Sequence, residues 1–274
     1  MPLLKSENQI SQNSKGNLKQ QRQAPFPLSP EISCIIKFMD KLKSGIEGLD
    51  SLLFGGFPQG RACLISGEPG TGKTLFCLQF LLEGLRSDEK CAYITIDERP
   101  EHIVMDSKAL GWDLTPYLER GSLEIMDVTA YFSTSKLGET DGINSAQIIE
   151  DIMTFVKKRG VTRLAIDPVA PLVFSSQTRL EVVEYIRKLI FCLEDYSACT
   201  TLLTSYVPVG SDKVSQHGIE EFAASGIILL KLVNIHNKYI RTVRVRKMRG
   251  SRIELSEYSF EILPNRGLVL RNPV

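Results

Sequence analysis

Gly67, Gly72, Lys73 and Thr74 stand in the spacing G-x-x-x-x-G-K-T, inside Gly67-Glu-Pro-Gly-Thr-Gly-Lys73-Thr74. An apolar strand pattern (Ala62 to Ile65) precedes them and a helical periodicity (Leu75 to Leu85) follows. Those residue types at that spacing hold phosphate. Small residues let the backbone wrap closely, so that successive N–H groups converge on phosphate oxygens at the start of a helix. The Lys73 ammonium then reaches the outer phosphates, and the Thr74 hydroxyl can ligate magnesium. A glycine-rich turn without a ligand has no need of all four fixed positions. Gly67, Gly70, Thr71, Gly72, Lys73, Thr74 and Leu75 are therefore the expected contacts of a nucleoside triphosphate.

Two further groups of acids could complete that chemistry. Arg163-Leu-Ala-Ile-Asp167 is a strand ending in a carboxylate, about ninety residues after the loop, where Asp167 can hold the magnesium through water. Asp97-Glu98 closes the strand that follows the loop's helix. Adjacent acids there can polarise an attacking water, or can merely cap the helix that begins near Pro100. Spacing does not choose between the two. Seven basic residues crowd the window from Lys238 to Arg252: Lys238, Arg241, Arg244, Arg246, Lys247, Arg249 and Arg252. The solvent face of an edge strand, a nucleic-acid stripe, or arginines reaching another subunit's phosphates all fit that pattern. His102, His217 and His236 are scattered and form no metal-ligand spacing.

The elements that must position these groups alternate. Cys91 to Ile96, Leu123 to Met126, Arg163 to Asp167, Thr200 to Ser205 and Ile227 to Leu232 read as strands. Between them lie helix patterns at Pro100–Leu110, closed by Gly111, around Ile148–Val156, ended by Gly160, and at Leu180–Glu194. Tyr239 to Lys247 and Arg252 to Ile262 look like a terminal hairpin region. Such alternation implies an α/β fold with a mostly parallel sheet flanked by helices. Residues 1–36 read as a disordered tail, polar and Pro-rich, in which Lys5, Lys15, Lys19 and Arg22 outnumber Glu7 and Glu31. With one loop and no repeat, residues 37–274 are expected to form a single ATPase domain.

Composition narrows the class. The 33 basic and 32 acidic residues leave no global field for nucleic acid, and no apolar run approaches the ~20 residues of a membrane span. The six cysteines contain no C-x-x-C pair, so they are expected to be small core residues of a reduced, cytoplasmic protein rather than zinc ligands.

Leu42-Lys-Ser-Gly-Ile-Glu-Gly-Leu-Asp50 and Gly55-Gly-Phe-Pro-Gln-Gly-Arg61 resemble the opening of the RecA-like ATPases of the KaiC branch. Gly111-Trp-Asp-Leu114, Gln216-His-Gly-Ile-Glu-Glu-Phe222 and Lys247-Met-Arg-Gly-Ser251 extend the resemblance over residues 41 to about 270. It implies a RecA-like P-loop NTPase core, assembled as a homohexamer with ATP and Mg2+ between subunits. By that resemblance Asp97 and Glu98 are the water-activating pair, and Lys247 and Arg249 reach the neighbour's γ-phosphate. An unidentified protein partner would be switched by slow hydrolysis. Three departures qualify this. The chain has one P-loop where the clock protein has two ATPase domains. Asp97 stands where the family usually has glutamate, and Glu221-Phe222 replaces the Ser-Thr pair of self-phosphorylating domains. A DNA-dependent RecA/RadA-type ATPase and a serine/threonine kinase are the alternatives. The segment Tyr206 to Glu221, with Lys213 against Asp212, Glu220 and Glu221, argues against nucleic acid.

Overall fold

The computed structural model describes residues 40–129, 145–169, 178–196 and 199–274. The expected tail, with Cys34, lies outside them. Lys41–Leu42 (β1) pairs antiparallel with Phe57–Pro58 (β2) around a short helix, Leu49–Leu52 (α1). Helices and strands then alternate: Ala62–Gly67 (β3), Lys73–Arg86 (α2), Cys91–Thr95 (β4), Pro100–Ala109 (α3), Thr115–Glu119 (α4), Leu123–Asp127 (β5) and Ser145–Arg159 (α5). Arg163–Asp167 (β6), Arg179–Tyr196 (α6), Thr200–Tyr206 (β7) and Glu220–Ala223 (α7) continue the pattern. Four strands follow, Gly226–Ile235 (β8), Lys238–Met248 (β9), Glu257–Leu263 (β10) and Gly267–Pro273 (β11).

Nine of these strands make one sheet in the order β11-β10-β9-β8-β3-β7-β6-β4-β5. Neighbours are parallel from β8 to β5, and antiparallel from β8 to β11. The parallel strands are buried on both faces, which is why β3, β4 and β6 read as continuous apolar runs. Successive side chains of β3 serve opposite cores. Cys63 and Ile65 join Phe76, Phe80 and Leu81 of α2 on one face; Ala62 and Leu64 join Ile152 of α5 and Ile186 and Leu189 of α6 on the other. Phe57 meets Phe80 edge-on at 5.5 Å between centroids. The buried amide of Gln79 fastens α2 to the last strand: Nε2 donates to Gly45 O (2.8 Å) and Arg266 O (2.9 Å), and Oε1 accepts from the Leu268 N–H (2.8 Å).

The α/β class, the mostly parallel sheet and the C-terminal hairpins are as expected. Two readings need correction. The strand expected from Arg252 begins only at Glu257, because residues 249–256 leave the sheet. The stretch Gly267–Pro273, read as no element, is the edge strand β11. It turns back at Asn265 and Gly267, both with positive φ. In consequence β9 lies between β8 and β10, so its basic residues do not belong to an edge strand. Cys63, Cys77, Cys91 and Cys199 are buried and Cys192 partly so, all as free thiols. Burial pushes Cys63, Cys91 and Cys199 up to about 12, which keeps them inert at neutral pH. No described helix is long and apolar enough to cross a membrane.

Candidate functional site

The carboxyl ends of β3, β7, β6 and β4, four neighbours in the sheet, bring the expected residues into one row. The loop leaves β3 at Gly67, where a Cβ would lie 2.3 Å from Leu230 O, so only glycine fits. It enters α2 through Gly72 at φ 101°, a left-handed conformation that glycine adopts without strain. No side chain caps the first turn of α2, so its N–H groups are available to an anion. Lys73 is buried, and its Nζ donates to Gly67 O (2.8 Å) and Glu68 O (2.9 Å) at the centre of the loop. Burial lowers its pKa, against the opposing charge of Asp167.

Thr74 Oγ1 donates to Asp167 Oδ2 at 2.7 Å, so the two expected magnesium ligands touch. Asp167 is itself buried, and it also accepts from Tyr93 OH (2.5 Å) and from Thr204 Oγ1. One hydroxyl and one carboxylate form the hard-oxygen set that magnesium uses beside phosphates and water. No cluster of three or more His, Cys, Asp or Glu among the described residues could hold a metal unaided. The donor set therefore fits magnesium carried in with phosphate.

Asp97 and Glu98 do not cap α3. Its N-cap is Arg99, and no side chain bonds there. Asp97 instead meets Tyr206, whose ring faces Lys73 of the loop. Asp97 is exposed and accepts from Tyr206 OH at 3.0 Å. Glu98 is half-buried, in a turn fixed by Thr95 Oγ1 donating to Glu98 O (2.5 Å). Burial raises the Glu98 pKa, with the charges of Asp106, Asp167 and Asp97 adding to it and His102 opposing. A raised carboxyl pKa means that the base form is lost at higher pH than for an ordinary glutamate. For a hydrolase with Glu98 as its base, turnover is expected to fall on the acid side at a pH above 4.5, the ordinary value, and the residual turnover of Glu98→Gln to lack that limb in the kcat–pH profile.

Lys247 and Arg249 are elsewhere. Lys247 is level with Ile227, which is level with Leu64, whereas Gly67 is level with Leu230. That register puts Lys247 about 10 Å down the strands from the loop, toward the amino ends. Arg249 is two residues further, its N–H donating to Ser225 O. Both side chains cap the short helix α7: Lys247 Nζ donates to Glu221 O (2.9 Å) and Ala224 O (2.7 Å), and Arg249 to Phe222 O (2.9 Å). Burial and the Arg249 charge lower the Lys247 pKa.

Reading by residue spacing missed Tyr93, whose role depends on β4 pairing with β6, and Thr204 and Tyr206, whose roles depend on β7 lying between β3 and β6. Arg241 was noted only as one of seven basic residues. Its Nε donates to Gly70 O at 3.2 Å, which makes it a second cation at the loop.

Residues 42–273 match the family model described as ATPase: KaiC. The chain belongs to that family. Among KaiC-like relatives, a UPF0273 protein of Methanocaldococcus jannaschii is 32% identical over 241 residues, 85% of this chain and 96% of that one. The circadian clock oscillator protein KaiC of Synechococcus elongatus is 30% identical over 223 residues, 81% of this chain and 42% of that protein. The chain thus spans less than half the length of the clock proteins it matches. A KaiC-like protein of Pyrococcus horikoshii has the same fold in its crystal structure, with a TM-score of 0.74 and 33% identity, covering 85% of this chain and all of the other. The KaiC family makes the loop a P-loop of an ATPase and the sheet a RecA-like one.

Proposed function

We propose that residues 37–274 form a single ATPase domain that assembles into a homohexameric ring, binds Mg-ATP between subunits and hydrolyses it slowly to switch contacts with a protein partner. The observation that carries this reading is the division of the site. The loop, Asp167 and the acidic pair gather at the carboxyl ends of the strands, while Lys247 and Arg249 sit toward the opposite ends. A second subunit would supply the missing cations.

In that arrangement Lys73 and the N-terminus of α2 hold the β- and γ-phosphates. Thr74 and Asp167 would hold magnesium, whose charge neutralises the phosphate oxygens. Asp97 orients the attacking water and Glu98, whose pKa burial raises, takes its proton as the water oxygen bonds to the γ-phosphorus and the bridging oxygen departs with ADP. Arg249 of a neighbour stabilises the charge on the transferring group. Glu221-Phe222 offers no hydroxyl for phosphorylation, and Phe222 is 71% exposed on the same face as Arg249.

Light scattering with and without Mg-ATP tests the ring, with phosphate release followed on the same samples. The expected mass with nucleotide is a sixfold multiple of the subunit. A protein that binds Mg-ATP and stays monomeric overturns the shared site.

A further inference from the structure

Tyr206 is the last residue of β7, and the backbone alone fixes it beside the P-loop. It is level with Gly67, and the following N–H, of Val207, donates to Gly67 O at 3.2 Å. From that anchor the side chain makes two contacts across the site. Its hydroxyl donates to Asp97 Oδ2 at 3.0 Å, and Lys73 Nζ stands 5.0 Å from its ring centroid. No other side chain among the described residues bonds the Asp97 carboxylate, which is otherwise exposed to solvent.

We propose that Tyr206 is a positioning residue of the hydrolytic site, holding the Asp97 carboxylate at a set place relative to the phosphate-binding ammonium of Lys73. This rests on the reading of Asp97 as the group that orients water. A phenol suits the task. It is rigid, with two side-chain torsions, and its face accepts a cation while its edge donates a hydrogen bond. It also stays neutral: burial, then the hydrogen bond and charge of Asp97, push its pKa up, so the hydroxyl keeps the proton that it donates. Without that bond Asp97 would sample several rotamers, and a water held by it would be misplaced by an ångström or more. Errors of that size cost rate rather than binding.

Tyr206→Phe keeps the ring over Lys73 and deletes only the hydroxyl. Turnover and affinity are to be compared in wild type, Tyr206→Phe, Asp97→Asn and the double variant, with Mg-ADP and Mg-ADP plus aluminium fluoride as binding probes. Tyr206→Phe is expected to lower kcat about tenfold, leave KM for Mg-ATP and Mg-ADP affinity within about twofold, and weaken the aluminium fluoride complex about tenfold. In the Asp97→Asn background the same change should cost almost nothing further. Wild-type turnover in Tyr206→Phe, or an undiminished loss in the Asp97→Asn background, overturns the proposal. A wild type that hydrolyses no faster than Lys73→Ala fails the hydrolase reading instead. Tyr206 is then judged on the fluoride complex alone, and equal affinity in the two proteins overturns it.

Discussion

Arg249→Ala is expected to lower Mg-ATP turnover by about 10³ while leaving nucleotide affinity within a few-fold, the size of effect seen when a phosphate-directed arginine is removed. The arginine is exposed, and its one side-chain hydrogen bond is to the Phe222 carbonyl, 2.9 Å away. Such a bond, made to a surface carbonyl, is worth roughly 1 kcal/mol, so the fold should survive its loss. The expected effect on rate, about 4 kcal/mol of barrier, is several times larger and therefore separable from it. With the proposed shared site the effect is intermolecular. Lys247 and Arg249 lie toward the amino ends of the strands, and the P-loop leaves the carboxyl end of β3. The register separates Arg249, opposite Ser225, from Gly67, level with Leu230, by five residues or about 16 Å, beyond the reach of an arginine side chain. Mixing decides the matter. Lys73→Ala subunits, inactive themselves, should restore part of the activity of Arg249→Ala subunits by presenting an intact Arg249 to an intact P-loop. Recovery on mixing supports the shared site; no recovery, with hexamers present, places the effect within one subunit and sinks it.

The same geometry explains what the sequence could and could not convey. The P-loop was legible because its chemistry is local: eight consecutive residues carry the glycines, the lysine and the hydroxyl. Asp167 was legible because a carboxylate closes an apolar strand. Tyr93, Thr204 and Tyr206 were not, since nothing local says that β4 pairs with β6, or that β7 intervenes between β3 and β6 and delivers the Thr204 hydroxyl to Asp167. Asp97 and Glu98 were ambiguous for a related reason. A carboxylate at a strand end and one at a helix start look alike until the N-cap is seen to be Arg99. Among strands, Gly267–Pro273 was hidden by its Asn and Pro, residues tolerated there because β11 is an edge. Missing it made β9 look like an edge, when the antiparallel extension β9-β10-β11 continues the sheet. The two-residue turn His236–Asn237, both at positive φ, begins that extension and carries no glycine to announce it.

Arg163→Ala is expected to destabilise the fold by about 3 kcal/mol, through the lost hydrogen bonds and packing of a buried guanidinium whose partner carboxylate is only partly buried. Spacing showed Arg163 only as the first residue of the strand that ends in Asp167. In the structure its side chain is 3% exposed under the sheet, where Nε and one terminal nitrogen grip both oxygens of Glu89 at 2.9 and 2.8 Å. The other terminal nitrogen donates to Lys43 O (2.7 Å) and Phe80 O (3.1 Å), and the guanidinium stacks 4.8 Å from the Phe80 ring centroid. The packing of α2 is built around it: a Cβ on Gly84 would lie 2.6 Å from Arg163 Cδ and Nε. Arg163→Lys should recover little, because an ammonium cannot bridge both carboxylate oxygens while also holding two carbonyls. Burial alone would raise the Glu89 pKa, but the hydrogen bonds and charge of Arg163 outweigh it, and the carboxyl is held below its ordinary 4.5. A depressed carboxylate stabilises the fold above the unfolded-state pKa, and that contribution is lost as pH falls through the folded value. The wild-type advantage over Arg163→Ala in urea denaturation should thus be full at neutral pH and shrink below about pH 4.5. A difference under about 1 kcal/mol at pH 7 would mean that water replaces the guanidinium. The strand bearing Asp167 would then be held by its pairing with β4 and β7 and by its hydrophobic packing.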